Sequence, residues 1–237
     1  MRLDKFLSET NTLSRSEAKN AAKKGLISVN GVPEKDPGRN ISETEDEIRY
    51  KNRIIKYQKF YYFVLNKPAG YVCSTNEADG IPAINLLPKE LQKRLNPVGR
   101  LDKGTTGLLL FTDDGILAHE LLSPKNHAPK TYFVTLERAV TEEDLKKLEN
   151  GVNMGDNEIS LPAEAKYGEN ESEIYLTICE GKFHQVKRMF KAVCNKVVTL
   201  KRRSFAGLSL DELNIKEGEG RLLSDEEIKL LSTKGTV

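Results

Sequence analysis

A chain of 237 residues with 37 Lys and Arg against 35 Asp and Glu has a formal charge of +2, too near neutrality for the total to announce a polyanion partner, so the distribution of charge must decide. The length suits one small and one medium domain, each able to bury its own core. Apolar runs such as residues 61–65 and 108–111 are too short for a membrane span, Met1-Arg2-Leu3-Asp4-Lys5 lacks an apolar export region, and Cys73, Cys179 and Cys194 form no C-x-x-C pair, so the expected class is a cytoplasmic protein with reduced, mostly buried thiols.

Residues 1–31 read as a helical unit. Leu3, Phe6 and Leu7 share one helical face, and Ser14-Arg15-Ser16-Glu17 has the S-x-x-E form of a capping box. A second helix therefore starts near Arg15, turns Ala18, Ala21 and Ala22 inward, and stops at Gly25. Residues 26–29 followed by Asn30-Gly31 and Val32 predict a strand entering a type I′ hairpin turn. Arg2, Lys5, Arg15, Lys19, Lys23 and Lys24 outnumber Asp4, Glu9 and Glu17 here, a basic face that on its own reads as a solvated helix surface.

Residues 33–58 are polar, with Pro33, Pro37, Gly38 and an acidic run over 43–47, and end in Ile48, Tyr50 and Lys51-Asn52-Arg53. They predict the end of the small domain and a connector, with a boundary near residue 58. Strands dominate beyond it, over 61–65, 107–111, 131–136, 174–179 and 197–200. Helices are predicted over 116–122, over 141–150 with Thr141 as N-cap and Gly151 past the end, over 185–193 and over 224–232. The expected fold class is α+β: a small helical and hairpin domain over 1–58, and over 59–237 a larger one built on a mixed, mainly antiparallel sheet flanked by helices and loops.

The stretch VGRLDKGTTGLLLFTDDG, residues 98–115, holds three carboxylates. Asp113 and Asp114 precede a glycine, where aspartate makes turns and caps the following helix, so their role is architectural. Asp102 lies in a loop between Gly99 and Gly104, beside Arg100 and Lys103, and cationic neighbours favour the ionised form that a nucleophile or base requires. Because ion pairs outnumber catalytic carboxylates, these residues alone favour a structural Asp102. Residues 182–203 contain Lys182, His184, Lys187, Arg188, Lys191, Lys196, Lys201, Arg202 and Arg203 without one acid, a patch suited to a phosphate backbone. Its helix places Val186, Met189, Phe190 and Val193 at core spacing and leaves Lys187, Arg188 and Lys191 toward the rim. Tyr132 shares a strand face with Val134 and Leu136 and suits either the core or a base-stacking surface; periodicity favours the core. His119, His127 and His184 show no metal-ligand grouping, and glycine-rich nucleotide loops are missing, so neither a metal nor a bound nucleotide is expected.

Taken together, these stretches resemble a known family. Residues 1–31 resemble the S4 RNA-binding domain. Gly99-Arg100-Leu101-Asp102 with Thr105-Thr106-Gly107, Lys130-x-Tyr132, and Gly181-x-x-His184-Gln185-Val186-Lys187-Arg188-Met189 resemble, in order, the three motifs of the RsuA branch of pseudouridine synthases. The resemblance implies that Asp102 acts covalently on a uridine while its N-glycosidic bond breaks, the base rotates and a C-glycosidic bond forms at C5. It implies that Tyr132 stacks on the base, that Lys187 pairs with Asp102 where related branches often have Arg, and that Arg100 contacts RNA while the uridine is flipped out. Arg2, Lys5, Arg15, Lys19, Lys23 and Arg188 become RNA-contacting residues, and 59–237 the catalytic domain. Lys103-Gly104 departs from the acidic or apolar residues expected between the aspartate and Thr-Thr-Gly. An isomerisation without net redox change or hydrolysis needs no cofactor and no metal. The implied substrate is small-subunit (16S) ribosomal RNA, naked or in an assembly intermediate, and the expected state is a monomer away from membranes. Large-subunit RNA, or an S4-domain assembly factor without activity, are the alternatives.

Overall fold

A computed structural model of the chain describes residues 1–10, 12–74, 76–123, 125–126 and 128–231. His127 and Ser232, which entered the sequence reading, lie outside them. The chain divides into two units, Met1–Lys59 and Phe60–Val237.

In the first unit, α1 (Leu3–Glu9) and α2 (Arg15–Lys23) precede β1 (Ile27–Val29) and β2 (Val32–Pro33). Ser14 caps α2, and the Glu17 carboxylate accepts the Ser14 N–H at 2.7 Å in a reciprocal capping box. Asn30 (φ 53°) and Gly31 (φ 77°) make the two-residue turn that pairs Val29 with Val32. The polar segment expected to be a connector contains a second hairpin instead, β3 (Ile48–Tyr50) and β4 (Arg53–Ile55), turned by Lys51 and Asn52, both at positive φ. Its β3 pairs with β1, giving the order β2-β1-β3-β4. Leu3, Phe6, Leu7, Ala18, Ala22, Ile27 and Ile48 form the core of this unit.

The second unit contains β5 (Tyr62–Lys67), β6 (Tyr71–Val72), β7 (Ile81–Pro82), α3 (Lys89–Gln92), β8 (Asn96–Pro97), β9 (Thr106–Thr112), α4 (Gly115–Leu122), β10 (Lys130–Leu136), α5 (Glu142–Asn150), β11 (Glu164–Tyr167), β12 (Glu173–Ile178), α6 (Gln185–Ala192), β13 (Val197–Phe205), β14 (Leu208–Ser209), α7 (Leu210–Leu213), β15 (Gly220–Leu222) and α8 (Asp225–Leu230). Its mixed sheet runs β11-β12-β10-β13-β9-β5-β15, antiparallel except for the β13–β9 pair, with β8 and β14 alongside. All six residues of β5 are buried. Phe63 and Leu65 face one apolar layer, containing Leu145 and Leu148 of α5 and Met189 and Phe190 of α6, whereas Tyr62 and Val64 face the other, with Leu121 of α4 and Leu210 of α7. Covered on both faces, the strand is apolar over residues 62–65, while Asn66 and Lys67 at its end are buried with hydrogen bonds to backbone carbonyls, and the sheet is the α+β architecture expected. Among the described residues no helix is long and apolar enough to cross a membrane.

Two further expectations need correction. β13 runs to Phe205, well past residue 200, because Arg202 is buried at 2% exposure instead of standing on a surface patch. None of the three thiols is buried: Cys73 and Cys179 are half-buried, and Cys194 is exposed at positive φ, where the chain reverses from α6 into β13.

Candidate active site

The loop between β8 and β9 holds Asp102 by its backbone. Val98 N–H donates to the Leu110 carbonyl (2.7 Å), and Thr105 N–H donates back to the Asp102 carbonyl (3.0 Å). Leu101 is buried, and its N–H donates to Cys73 Sγ at 3.2 Å. Gly99 sits at φ 77°, where a Cβ would be strained and would meet Leu122 at 3.0 Å. With both flanks tied down, the Asp102 side chain is left half-buried above the sheet.

The opposing wall is α6. Val186, Met189 and Phe190 anchor it in the core, leaving Lys187 on the rim with its Nζ 2.9 Å from Asp102 Oδ2. His184 N-caps the helix in the left-handed region (φ 49°, ψ 32°), a conformation non-glycine residues seldom adopt. That bend puts His184 Nε2 3.6 Å from Asp102 Oδ1 and stacks its ring on Phe183, centroids 3.9 Å apart. A pair this exposed contributes about 1 kcal/mol or less to stability, so what it fixes is orientation.

Tyr132, on β10, is 8% exposed. It belongs to the apolar layer and also lines a cleft of about 80 Å³ with Arg100, Asp102, Thr105, His184 and Lys187. Core packing and a place at the site therefore coexist in one residue. The Thr105 hydroxyl is buried there with no hydrogen-bond partner among the described residues. Lys67 lies wholly buried nearby and donates to the carbonyls of Pro68 and Tyr71, both at 2.9 Å. Burial pushes its ammonium below the usual lysine range, and the charges of Cys73 and Asp102 oppose that shift.

Arg100, Asp102, Tyr132 and Lys187 are thus brought together. Arg188 is not: its guanidinium turns away to Glu158 and to the Met154 carbonyl (3.1 Å), with its side chain 19% exposed. Arg15, Lys19 and Lys23 line the exposed side of α2, Arg2 is bidentate to Asp4, and Lys5 lies 3.6 Å from Glu9. Asp113 accepts the Tyr61 N–H (2.7 Å) and a bond from Arg94, and Asp114 caps α4 through the Leu117 N–H (3.1 Å). His184 and Lys67 were not among the expected site residues. A G-x-x-H-Q pattern at a helix start is the cue for the first, whereas burial of a lysine has none.

This geometry coincides with the regions matched by known proteins. A model of the RNA pseudouridylate synthase family matches residues 61–192, and an S4 domain model matches residues 1–48. An uncharacterized RNA pseudouridine synthase, YtzG of Bacillus subtilis, is 43% identical, covering 98% of both chains. Ribosomal small subunit pseudouridine synthase A of Haemophilus influenzae is 41% identical over 98% of this chain and 99% of that one, and its counterpart in Escherichia coli K12 is 38% identical over 96% and 98%. A crystal structure of a pseudouridylate synthase superposes with a TM-score of 0.68 at 40% identity, covering 98% and 99% of the two chains. Identity at this level, sustained from end to end and through both units, establishes that the chain belongs to the RNA pseudouridylate synthase family and joins an S4 domain to the synthase unit.

Proposed function

We propose that the protein converts one uridine of small-subunit ribosomal RNA to pseudouridine in the cytoplasm, with Asp102 as the nucleophile. The observation that carries this reading is the contact of 2.9 Å between Lys187 Nζ and Asp102 in a cleft that also holds Tyr132. Asp102 and Tyr132 lie within a cleft lined by α6 and the loop before β9, out of reach of a base stacked in its duplex, so the target nucleoside is everted into it and Arg100, at the rim, occupies the space it leaves. Breaking the N1–C1′ bond builds positive charge at C1′, which the carboxylate stabilises or traps. The base turns over the Tyr132 ring, C5 bonds to C1′, the C5 proton leaves and N1 takes one up, so the sum is an isomerisation. The choice of the small subunit is supported by two relatives near 40% identity whose names specify that subunit. The basic face of the S4 domain adds affinity that does not depend on sequence.

The test is tritium release from transcripts labelled at uridine C5. Release from small-subunit transcripts by the wild type and not by Asp102→Ala is expected. Release only from large-subunit transcripts would move the substrate, and binding of either RNA without release would make the protein an assembly factor.

A further inference from the structure

A second cavity, of about 250 Å³, shares Arg100, Tyr132 and Lys182 with the cleft but not Asp102. Two buried cations line it, Arg202 at 2% exposure and Lys130 at 8%, beside the equally buried Tyr132. The sheet places them together: Lys130 is registered against Phe205 and Tyr132 against Arg202, and the Lys130 ammonium and Arg202 guanidinium lie 5.6 and 4.8 Å from the Phe205 ring centre. Lys130 Nζ donates to the Ala128 carbonyl (2.7 Å) and Arg202 Nε to the Leu108 carbonyl (2.8 Å). One terminal nitrogen of Arg202 is buried and has no hydrogen-bond partner among the described residues.

Among the described residues neither cation has a carboxylate within ion-pair distance. Glu180 also lines the cavity, but its oxygens are taken: one accepts the Leu161 N–H (2.8 Å) and a bond from Gln185, and the other lies 3.3 Å from Lys182 Nζ. Burial, then repulsion from Arg202, pushes the Lys130 ammonium down to about 8. Two buried cations with an orphaned N–H are costly unless an anion completes them, and a guanidinium matches oxyanions in particular.

We propose that this cavity is an oxyanion site that takes a phosphate group, with Arg202 and Lys130 as its inner donors and Arg100 at its mouth. Assigning that phosphate to the RNA backbone beside the everted nucleotide rests on the functional reading above. Affinity for free phosphate does not, and is measured without turnover.

Inorganic phosphate is titrated calorimetrically into the full chain at constant ionic strength. A saturable site in the wild type that weakens about ten- to a hundredfold in Lys130→Met and in Arg202→Gln is expected. Failure to saturate, or equal binding in wild type and Lys130→Met, overturns the site; Lys130→Met decides if Arg202→Gln does not fold by circular dichroism. The second arm uses short RNA substrates with one neutral methylphosphonate linkage flanking the target uridine. A backbone ligand predicts about tenfold weaker binding at one linkage in the wild type and less than about twofold in Lys130→Met. Phosphate binding with no such difference at any linkage keeps the oxyanion site and overturns RNA as its source. Tritium release that survives Asp102→Ala would overturn the catalytic reading and leave the phosphate titration unaffected.

Discussion

Lys187 meets Asp102 at 2.9 Å with two-fifths of its side chain still exposed, so its influence falls on the carboxylate more than on the fold. Lys187→Met should lower the single-turnover rate of tritium release by about ten- to a hundredfold, the worth of a charge-assisted hydrogen bond, while RNA affinity changes by about twofold or less. Lys187→Arg should restore most of the rate. Weaker RNA binding with an unchanged rate would show that Lys187 serves affinity alone. Lys130 provides a separate test by pH. Its folded-state pKa is pushed down to about 8, below the roughly 10.4 of an unfolded lysine. Between those values the unfolded chain binds the extra proton, so stability rises as pH climbs from about 8 to about 10.5, and below pH 8 the full penalty is present. Urea unfolding at pH 7.5 and pH 10 should show that gain in the wild type and lose part of it in Lys130→Met; equal pH dependence in the two would contradict a buried, disfavoured charge. At this scale the motif residues were legible because the chemistry fixes their types and order. Burial of Lys130, Lys67 and Arg202 was not, because basic side chains are ordinarily exposed. Nor was the Arg188–Glu158 contact, because Glu158, thirty positions earlier, becomes its neighbour only after folding.

Among the elements, the site depends on how closely β9 approaches β13. Gly107 lies at φ 105°, and a Cβ there would fall 2.2 Å from the Arg202 carbonyl oxygen and 2.7 Å from its nitrogen. This is the parallel step of the sheet, and it seats both the Asp102 loop and Arg202. Gly107→Ala should therefore destabilise the chain by about 2–3 kcal/mol, read as a lower urea midpoint at unchanged slope. A midpoint equal to the wild type would mean that the strands part without strain. Elements defined by local chemistry were readable in advance: the Ser14–Glu17 capping box, the Asn30-Gly31 turn and the Thr141 N-cap each follow from a few adjacent residues. The β3–β4 hairpin escaped because Lys51-Asn52 is a weaker turn signal than Asn-Gly, although Asn52 tolerates the left-handed conformation. The second half of β13 escaped because Lys201-Arg202-Arg203 looks like surface, while only the pairing with β10 and β9 buries its centre.

For the molecule as a whole, mild net charge conceals two basic regions, one in each unit, and this separation is why total composition said little about RNA. On the proposed function the exposed bases of α2 neutralise phosphates, so Arg15→Gln, Lys19→Gln and Lys23→Gln combined should weaken RNA binding and reduce the slope of log affinity against log salt by about 0.8 for each phosphate no longer neutralised. An unchanged slope would remove RNA binding from that face. The catalytic step proposed for the other unit turns on one carboxylate. The most direct measurement is single-turnover tritium release from a small-subunit transcript by Asp102→Asn, which keeps shape and removes the charge, with RNA affinity measured alongside. Affinity within about twofold of the wild type and release slowed by roughly 10⁴-fold or more are expected; release near the wild-type rate would contradict a nucleophilic carboxylate at position 102.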